Sequence, residues 1–140
     1  MTRLCRVAFA AYLLAVLLIT WLPSEDAGKV TGIVDAIAGM LVPLGIPFDI
    51  GYSTLEFLAN IALFLPLGAL HVLAWHRLPW WTAALGGFAL SAVIELVQIV
   101  LPTRYSTVSD VIANSMGALV GALLVVAVRR IRRAARTVET

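Results

Sequence analysis

Four long apolar stretches, separated by short polar segments, dominate the hydrophobic pattern of the chain. They cover about residues 4–22, 56–75, 81–101 and 108–128. Each is close to the roughly 20 residues that an α-helix needs to cross the hydrocarbon of a bilayer. The pattern predicts an all-α, polytopic membrane protein with four transmembrane helices, in which residues 1–140 form a single membrane domain.

The first stretch has two interpretations, because two arginines precede it as they would in a signal peptide. Its apolar run is longer than a typical signal core, and no small-x-small cleavage site follows it. We therefore expect a retained first helix. Pro23 and Ser24 are predicted to end it.

A mixed segment lies between the first two stretches. Its apolar residues recur at helical spacing, with polar residues elsewhere on the wheel, which indicates a short amphipathic helix on the membrane surface or at the end of the bundle. Pro43, Gly45 and Pro47 are expected to end it. The apolar positions are Val30, Ile33, Val34, Ile37, Leu41 and Leu44.

Composition excludes a soluble domain. Hydrophobic residues make up 61% of the chain and charged residues 13%, whereas soluble domains are about half apolar and a quarter charged. Of the ten Lys and Arg residues, only Lys29 and Arg104 lie outside the N-terminus, the His76–Arg77 turn and the basic tail 129–140. The positive-inside rule then predicts a multi-pass membrane protein with both termini cytoplasmic. Because the basic residues adjoin membrane helices, we expect a lipid bilayer as partner and no nucleic acid.

Several polar side chains interrupt the last three apolar stretches. A charged group near the middle of a bilayer costs about 2.5–3.5 kcal/mol on insertion scales, so such residues are default candidates for function. Glu95 and Asn114 each lie six residues from the predicted outer ends of their helices, at ~9 Å depth for a rise of 1.5 Å per residue. The predicted outer-leaflet polar pocket therefore comprises Asn60, Glu95, Gln98, Arg104, Asp110 and Asn114.

These polar groups have two interpretations. Interhelical hydrogen bonds contribute about 0.6–2 kcal/mol each, so amide side chains can serve only to hold helices together. Charged groups are costly for that purpose, which favours a functional site for Glu95, Arg104 and Asp110. Thr107 and Asp110 also fit a variant capping box at the start of the fourth helix.

Small residues and one proline indicate where the helices pack. Gly117-x-x-x-Gly121 is a close-packing pattern in membrane helices, and Pro66 with Gly68 is expected to kink the second helix. In the third helix, Ala84, Gly87, Ser91, Glu95 and Gln98 share one face. Leu90, Val93, Val97 and Leu101 fall largely on the other, lipid-facing side.

The sequence gives little support for a disulfide, a metal site or a phosphate-binding loop. Cys5 is the single cysteine, and no Cys/His cluster with metal-ligand spacing or phosphate-binding glycine loop occurs. We expect no metal site and no cofactor. Whether the protein forms a homo-oligomer stays open.

The chain resembles the VanZ-like family of small bacterial membrane proteins over about residues 56–128. The resemblance rests on N-x-x-x-F-x-P-L-G from Asn60 to Gly68, E-x-x-Q at Glu95, and P-x-R at Pro102. It ends with D-x-x-x-N-x-x-G-x-x-x-G from Asp110 to Gly121. It implies a location in the bacterial cytoplasmic membrane and a cell-envelope role. The founding member is associated with reduced susceptibility to the glycopeptide teicoplanin, which makes antibiotic resistance one expectation.

Three hypotheses follow for the function. The first is a non-enzymatic envelope protein whose pocket binds a lipid-linked cell-wall component or a glycopeptide. The alternative is an intramembrane enzyme acting on an envelope lipid or lipid-linked glycan, with Glu95 as general acid/base. A small transporter or channel subunit is disfavoured, because the charged residues within the helices are confined to one leaflet.

Overall fold

The structure, a computed structural model, shows five α-helices in the residues that it describes, and two of these helices form a central pair. It describes residues 2–21, 24–100 and 107–138, without the side chains of 24–31 and 138. The elements are α1 (Thr2–Trp21), α2 (Ser24–Leu41), a 3-10 turn (Val42–Leu44), α3 (Phe48–Ala74), α4 (Trp81–Val100) and α5 (Val108–Val138). Within the described ranges α1, α3, α4 and α5 are long and apolar enough to cross a membrane, so the predicted fold class is confirmed.

Helix α3 begins at Phe48, whereas the apolar pattern predicted a start near residue 56. Gly45 has φ 88°, a left-handed conformation that turns the chain after the 3-10 helix. Pro47 then occupies the N-cap position of α3. Gly51, in the second turn, is buried against Leu41 of α2. The first turns of α3 therefore pack against α2, although the composition of this part of the sequence is typical of a loop.

Helix α5 continues to Val138, so most of the predicted basic tail 129–140 is a helical extension of the fourth crossing. Arginine and alanine, which dominate this stretch, are good helix formers. The Arg129 guanidinium also donates a hydrogen bond from Nη2 to the backbone oxygen of Val72 on α3, at 3.2 Å. The extension is therefore attached to the bundle at its first arginine.

Helices α3 and α5 run parallel and form the central pair of the bundle. A β-carbon at Gly121 would overlap the backbone of Leu65, and one at Gly117 would overlap the carbonyl of Ile61. On the other side of the interface, a β-carbon at Gly68 would overlap the backbone of Ala118. Three glycines therefore allow the two helices to approach to backbone contact. Pro66 lies half-buried within α3, and the helix continues through it.

Helix α4 packs antiparallel to α5 through its small and polar face. Gly87 faces the Ala118 methyl group, and Ser91, Glu95 and Gln98 are buried along the same face. Val93, on the opposite side, is 54% exposed. Leu90 differs from the lipid-facing position expected for it, because it packs against the core cluster.

Helix α1 completes the bundle by packing on α3 and α4. The Tyr12 hydroxyl donates a hydrogen bond to the Leu63 backbone oxygen at 3.0 Å. Val16, Phe64, Leu67 and Ile94 form one buried cluster where the three helices meet. Most other large apolar side chains point outward, as they do in helices whose solvent is lipid.

Helix α2 lies against α3 near the start of that helix. Ala38 is fully buried there, whereas Ile33 and Met40 are 63% and 72% exposed. Helical structure begins at Ser24, earlier than the start near residue 30 that the apolar pattern predicted. An apolar face left open beside the bundle is typical of a helix that lies at a membrane surface.

Candidate functional site at the α4–α5 end

Polar side chains cluster at the end of the bundle where α4 ends and α5 begins, which we call the α4–α5 end. Asn60 of α3 donates a hydrogen bond from Nδ2 to Oδ1 of Asp110 at 2.7 Å. The Thr107 hydroxyl accepts a hydrogen bond from the Asp110 backbone N–H at 3.2 Å. This is the N-cap contact expected from the capping sequence. It fixes Asp110 in the first turn of α5.

A second hydrogen bond joins α5 to α4 inside the bundle. Asn114 donates from Nδ2 to the Ser91 hydroxyl oxygen at 2.8 Å, and the two side chains are 5% and 0% exposed. The contact sets the register of the two antiparallel helices, because Gly87 and Ala118 meet one turn further along.

This register corrects the depth match expected from the sequence. Asn114 lies level with Ser91, and one turn closer to the α4–α5 end Glu95 lies level with Asp110 by helical rise. The sequence indicated Ser91 as a small residue at which helices pack, and did not indicate it as a polar partner of Asn114. The pattern that pointed to a polar role was its position on the same helix face as Gly87 and Glu95.

Gln98 connects α4 to α1. Its Nε2 donates a hydrogen bond to the backbone oxygen of Thr20 at 3.1 Å. Thr20 lies in the last turn of α1, where backbone carbonyls have no partner within the helix. Asn60, Asn114 and Gln98 therefore each link a different pair of helices, and together they connect α1, α3, α4 and α5.

Several side-chain oxygen atoms of the described residues lie at or near this end. The Oδ1 atom of Asn114 is buried and accepts no hydrogen bond from any residue that the structure describes. Glu95 carries a carboxyl group that is 7% exposed, and the Asp110 side chain is half-buried. Glu56 is exposed at the same end of α3. Arg104, the remaining predicted member of the site, lies outside the described residues.

The link between Asn60 and Asp110 yields a prediction for stability. We expect Asn60→Ala and Asp110→Ala to be non-additive, with a coupling free energy of about 1–2 kcal/mol, because the bond joins an amide to a half-buried carboxyl group across two helices. A double-mutant cycle measured by reversible unfolding in detergent checks this. Ser115→Ala is the control partner for Asn60→Ala, since the Ser115 hydroxyl bonds only Val111 of its own helix among the contacts described. Additivity of the Asn60 and Asp110 variants would contradict the assigned bond.

The fold and this site define a class, a multi-pass α-helical membrane protein with buried polar links between its crossing helices. Within that class, the family described as VanZ/LLP1 matches residues 9–129, and the chain belongs to this family. The match includes α1 from residue 9 onward and all of α2, and so extends beyond the 56–128 region that carried the resemblance. No significant match occurs among curated proteins or among solved structures.

Proposed function

We propose that this protein binds a polar, lipid-linked component of the bacterial envelope at the α4–α5 end, without chemical turnover. The observation that supports binding is the buried Oδ1 of Asn114, which has an unfilled acceptor position among the described residues. Leaving a polar atom buried without a partner costs about 1–3 kcal/mol. A ligand that donates a hydrogen bond there would remove this cost.

The chemistry of the ligand follows from the acceptors around this position. Glu56, Glu95 and Asp110 contribute carboxyl groups, which accept hydrogen bonds when ionised. The bound part of the ligand would therefore present hydroxyl or amine groups, as the sugars and peptides of cell-wall precursors and glycopeptides do. Binding such a component would change the access of glycopeptides to it. In this way the protein would affect susceptibility to teicoplanin.

The distribution of charge supports an orientation in the cytoplasmic membrane. Seven of the eight acidic residues precede Val111 and fall on the side of the α4–α5 end, and eight of the ten basic residues fall on the opposite side. Positive residues are retained on the cytoplasmic side of membrane proteins. Both termini are accordingly proposed to be cytoplasmic, with the α4–α5 end at the outer leaflet.

A deletion strain tests this function. It is screened against cell-wall antibiotics that include teicoplanin, and is then complemented with wild type, Glu95→Gln or Asp49→Asn at matched membrane levels. Asp49 is an exposed carboxylate at the same end of α3, so its variant controls for the loss of one negative charge. We expect Glu95→Gln to lose complementation and Asp49→Asn to retain it. Equal complementation by both variants would show that the Glu95 carboxyl is not needed.

An enzymatic role is the second candidate, because the Glu95 carboxyl is buried one helical turn from the Ser91 hydroxyl. Such a carboxyl could act as a general acid or base on a bound envelope lipid or lipid-linked glycan. Incubating the purified protein with these substrates distinguishes the two functions. Product formation by the wild type that is lost in Glu95→Gln would replace binding with catalysis.

A further inference from the structure

At the opposite end of the bundle, arginines from two helices converge on the last turn of α3. Arg6 of α1 donates from Nε to the backbone oxygen of Ala74 at 3.4 Å, and Arg129 of α5 donates to that of Val72 at 3.2 Å. Carbonyls in a final helical turn lack partners within the helix and carry partial negative charge. The two guanidinium groups are thereby held beside the end of α3, which we call the basic end.

A pocket of about 350 Å³ opens at this basic end. The Arg6 guanidinium carbon lies 5.9 Å from the centroid of the Trp75 ring, an arrangement in which the ring holds the cation. Arg77, from the α3–α4 turn, is exposed and supplies a second guanidinium. None of the described residues that line the pocket is acidic, so its charge suits an anion. The lining comprises Thr2, Arg6, Trp75, His76, Arg77 and Leu78.

An apolar cavity of about 180 Å³ lies deeper in the bundle. Phe9 and Leu13 of α1 face Gly86 and Leu90 of α4 across it. A β-carbon at Gly86 would meet no atom within 4 Å, so the absence of a side chain there leaves the cavity open. An apolar cavity of about 150 Å³ stays dry and admits a guest such as benzene. This cavity is therefore large enough for a segment of hydrocarbon chain.

The pocket and the cavity adjoin each other along α1 and α3. The Phe9 ring, which lines the cavity, lies 5.0 Å from the Trp75 ring, which lines the pocket. The His71 ring, which also lines the cavity, lies 6.2 Å from the Phe9 ring and 5.3 Å from the Trp75 ring. A single layer of aromatic side chains thus separates the basic pocket from the apolar cavity.

We propose that the two spaces form one site for an anionic phospholipid of the adjacent leaflet. The phosphate binds Arg6 and Arg77, and part of one acyl chain occupies the cavity beside Gly86. Charge selects the headgroup, since basic residues near a membrane attract anionic lipids. A lipid matches both spaces, because its charged headgroup suits the basic pocket and its acyl chain suits the apolar cavity. The surrounding bilayer supplies such lipids. The site is separate from the α4–α5 end and does not depend on the function proposed there.

Binding of defined lipids to the delipidated full-length protein in detergent tests the site. The probes are phosphatidylglycerol, phosphatidylcholine and inorganic phosphate, and native mass spectrometry gives their affinities. The variants are Arg77→Ala, which removes a headgroup contact, and Gly86→Leu, which fills the cavity. Arg130→Ala is the matched control, because Arg130 is exposed at the same end but does not line the pocket.

We expect wild type to prefer phosphatidylglycerol to phosphatidylcholine, and Arg77→Ala to weaken phosphatidylglycerol binding about fivefold, the contribution of one arginine near anionic lipid. Gly86→Leu should weaken phosphatidylglycerol binding and leave any binding of inorganic phosphate unchanged. Arg130→Ala should bind as wild type does. Equal affinity for the two lipids, an equal loss in Arg77→Ala and Arg130→Ala, or wild-type lipid binding by Gly86→Leu would each overturn the proposal.

Discussion

Replacing Gly121 with alanine is expected to destabilise the bundle strongly. The added methyl group would overlap the backbone of Leu65 on α3, and backbone cannot move aside as a side chain can. Forcing extra volume into a packed interior costs typically 1–3 kcal/mol and occasionally more. Because α3 and α5 form the central pair, we expect an effect of about 3 kcal/mol or loss of the folded protein.

Gly86→Ala is the matched control for this prediction. It adds the same methyl group to another crossing helix, at a position where the β-carbon meets nothing within 4 Å. Helix propensity alone makes alanine better than glycine by up to about 1 kcal/mol. The melting temperature in detergent and the monodisperse fraction on size-exclusion chromatography should be lower for Gly121→Ala than for wild type. For Gly86→Ala, neither should be lower than for wild type. Equal stability of the two variants would contradict the backbone contact between α3 and α5.

The second large effect is expected from Asn114→Leu, on complementation of the deletion strain. Asn114 has two separable roles, since its Nδ2 bonds Ser91 and its Oδ1 stays available as an acceptor. Ser91→Ala removes the first role and keeps the second. If Asn114 serves only to join the helices, both variants should lose similar activity. We expect instead that Asn114→Leu abolishes complementation of the deletion strain while Ser91→Ala retains most of it.

Melting temperatures separate these outcomes from misfolding. Breaking one interhelical hydrogen bond costs about 0.6–2 kcal/mol, and Ser91→Ala also leaves the buried Asn114 amide group without its partner, so Asn114→Leu should be at least as stable as Ser91→Ala. Loss of complementation by Asn114→Leu at a melting temperature no lower than that of Ser91→Ala would assign the effect to the Oδ1 acceptor. Loss of complementation by Ser91→Ala as well, at that temperature, would assign both residues to helix packing.

The number and type of crossing helices could be predicted from the sequence, because length and hydropathy decide them locally. The start of α3 could not. Gly51, Ser53 and Thr54 have loop-like composition, and the burial of Gly51 depends on contact with α2. The basic tail was equally ambiguous, since arginines permit a helix without requiring one.

The sequence indicated that polar side chains gather near the α4–α5 end, but it did not indicate how they pair. Polar residues in apolar segments identified Asn60, Asp110 and Asn114 as candidates. Which residues pair depends on the registers of α3 and α4 against α5. The register of α4 follows from the contact of Gly87 with Ala118 together with the Asn114–Ser91 hydrogen bond. The apolar cavity has no sequence signal, because it lies where Gly86 lacks a side chain.

Direct binding by the purified protein tests the ligand site most closely. Wild type and Asn114→Leu are placed in nanodiscs and titrated with a polyprenyl-linked cell-wall precursor, with phosphatidylcholine as the reference lipid and Asp49→Asn as the control variant. We predict saturable precursor binding by wild type and Asp49→Asn, weakened in Asn114→Leu by about tenfold, the effect of one lost hydrogen bond together with the desolvation of its partner. Precursor binding by Asn114→Leu as tight as that of wild type, or no preference of wild type for the precursor over phosphatidylcholine, would contradict the proposed site.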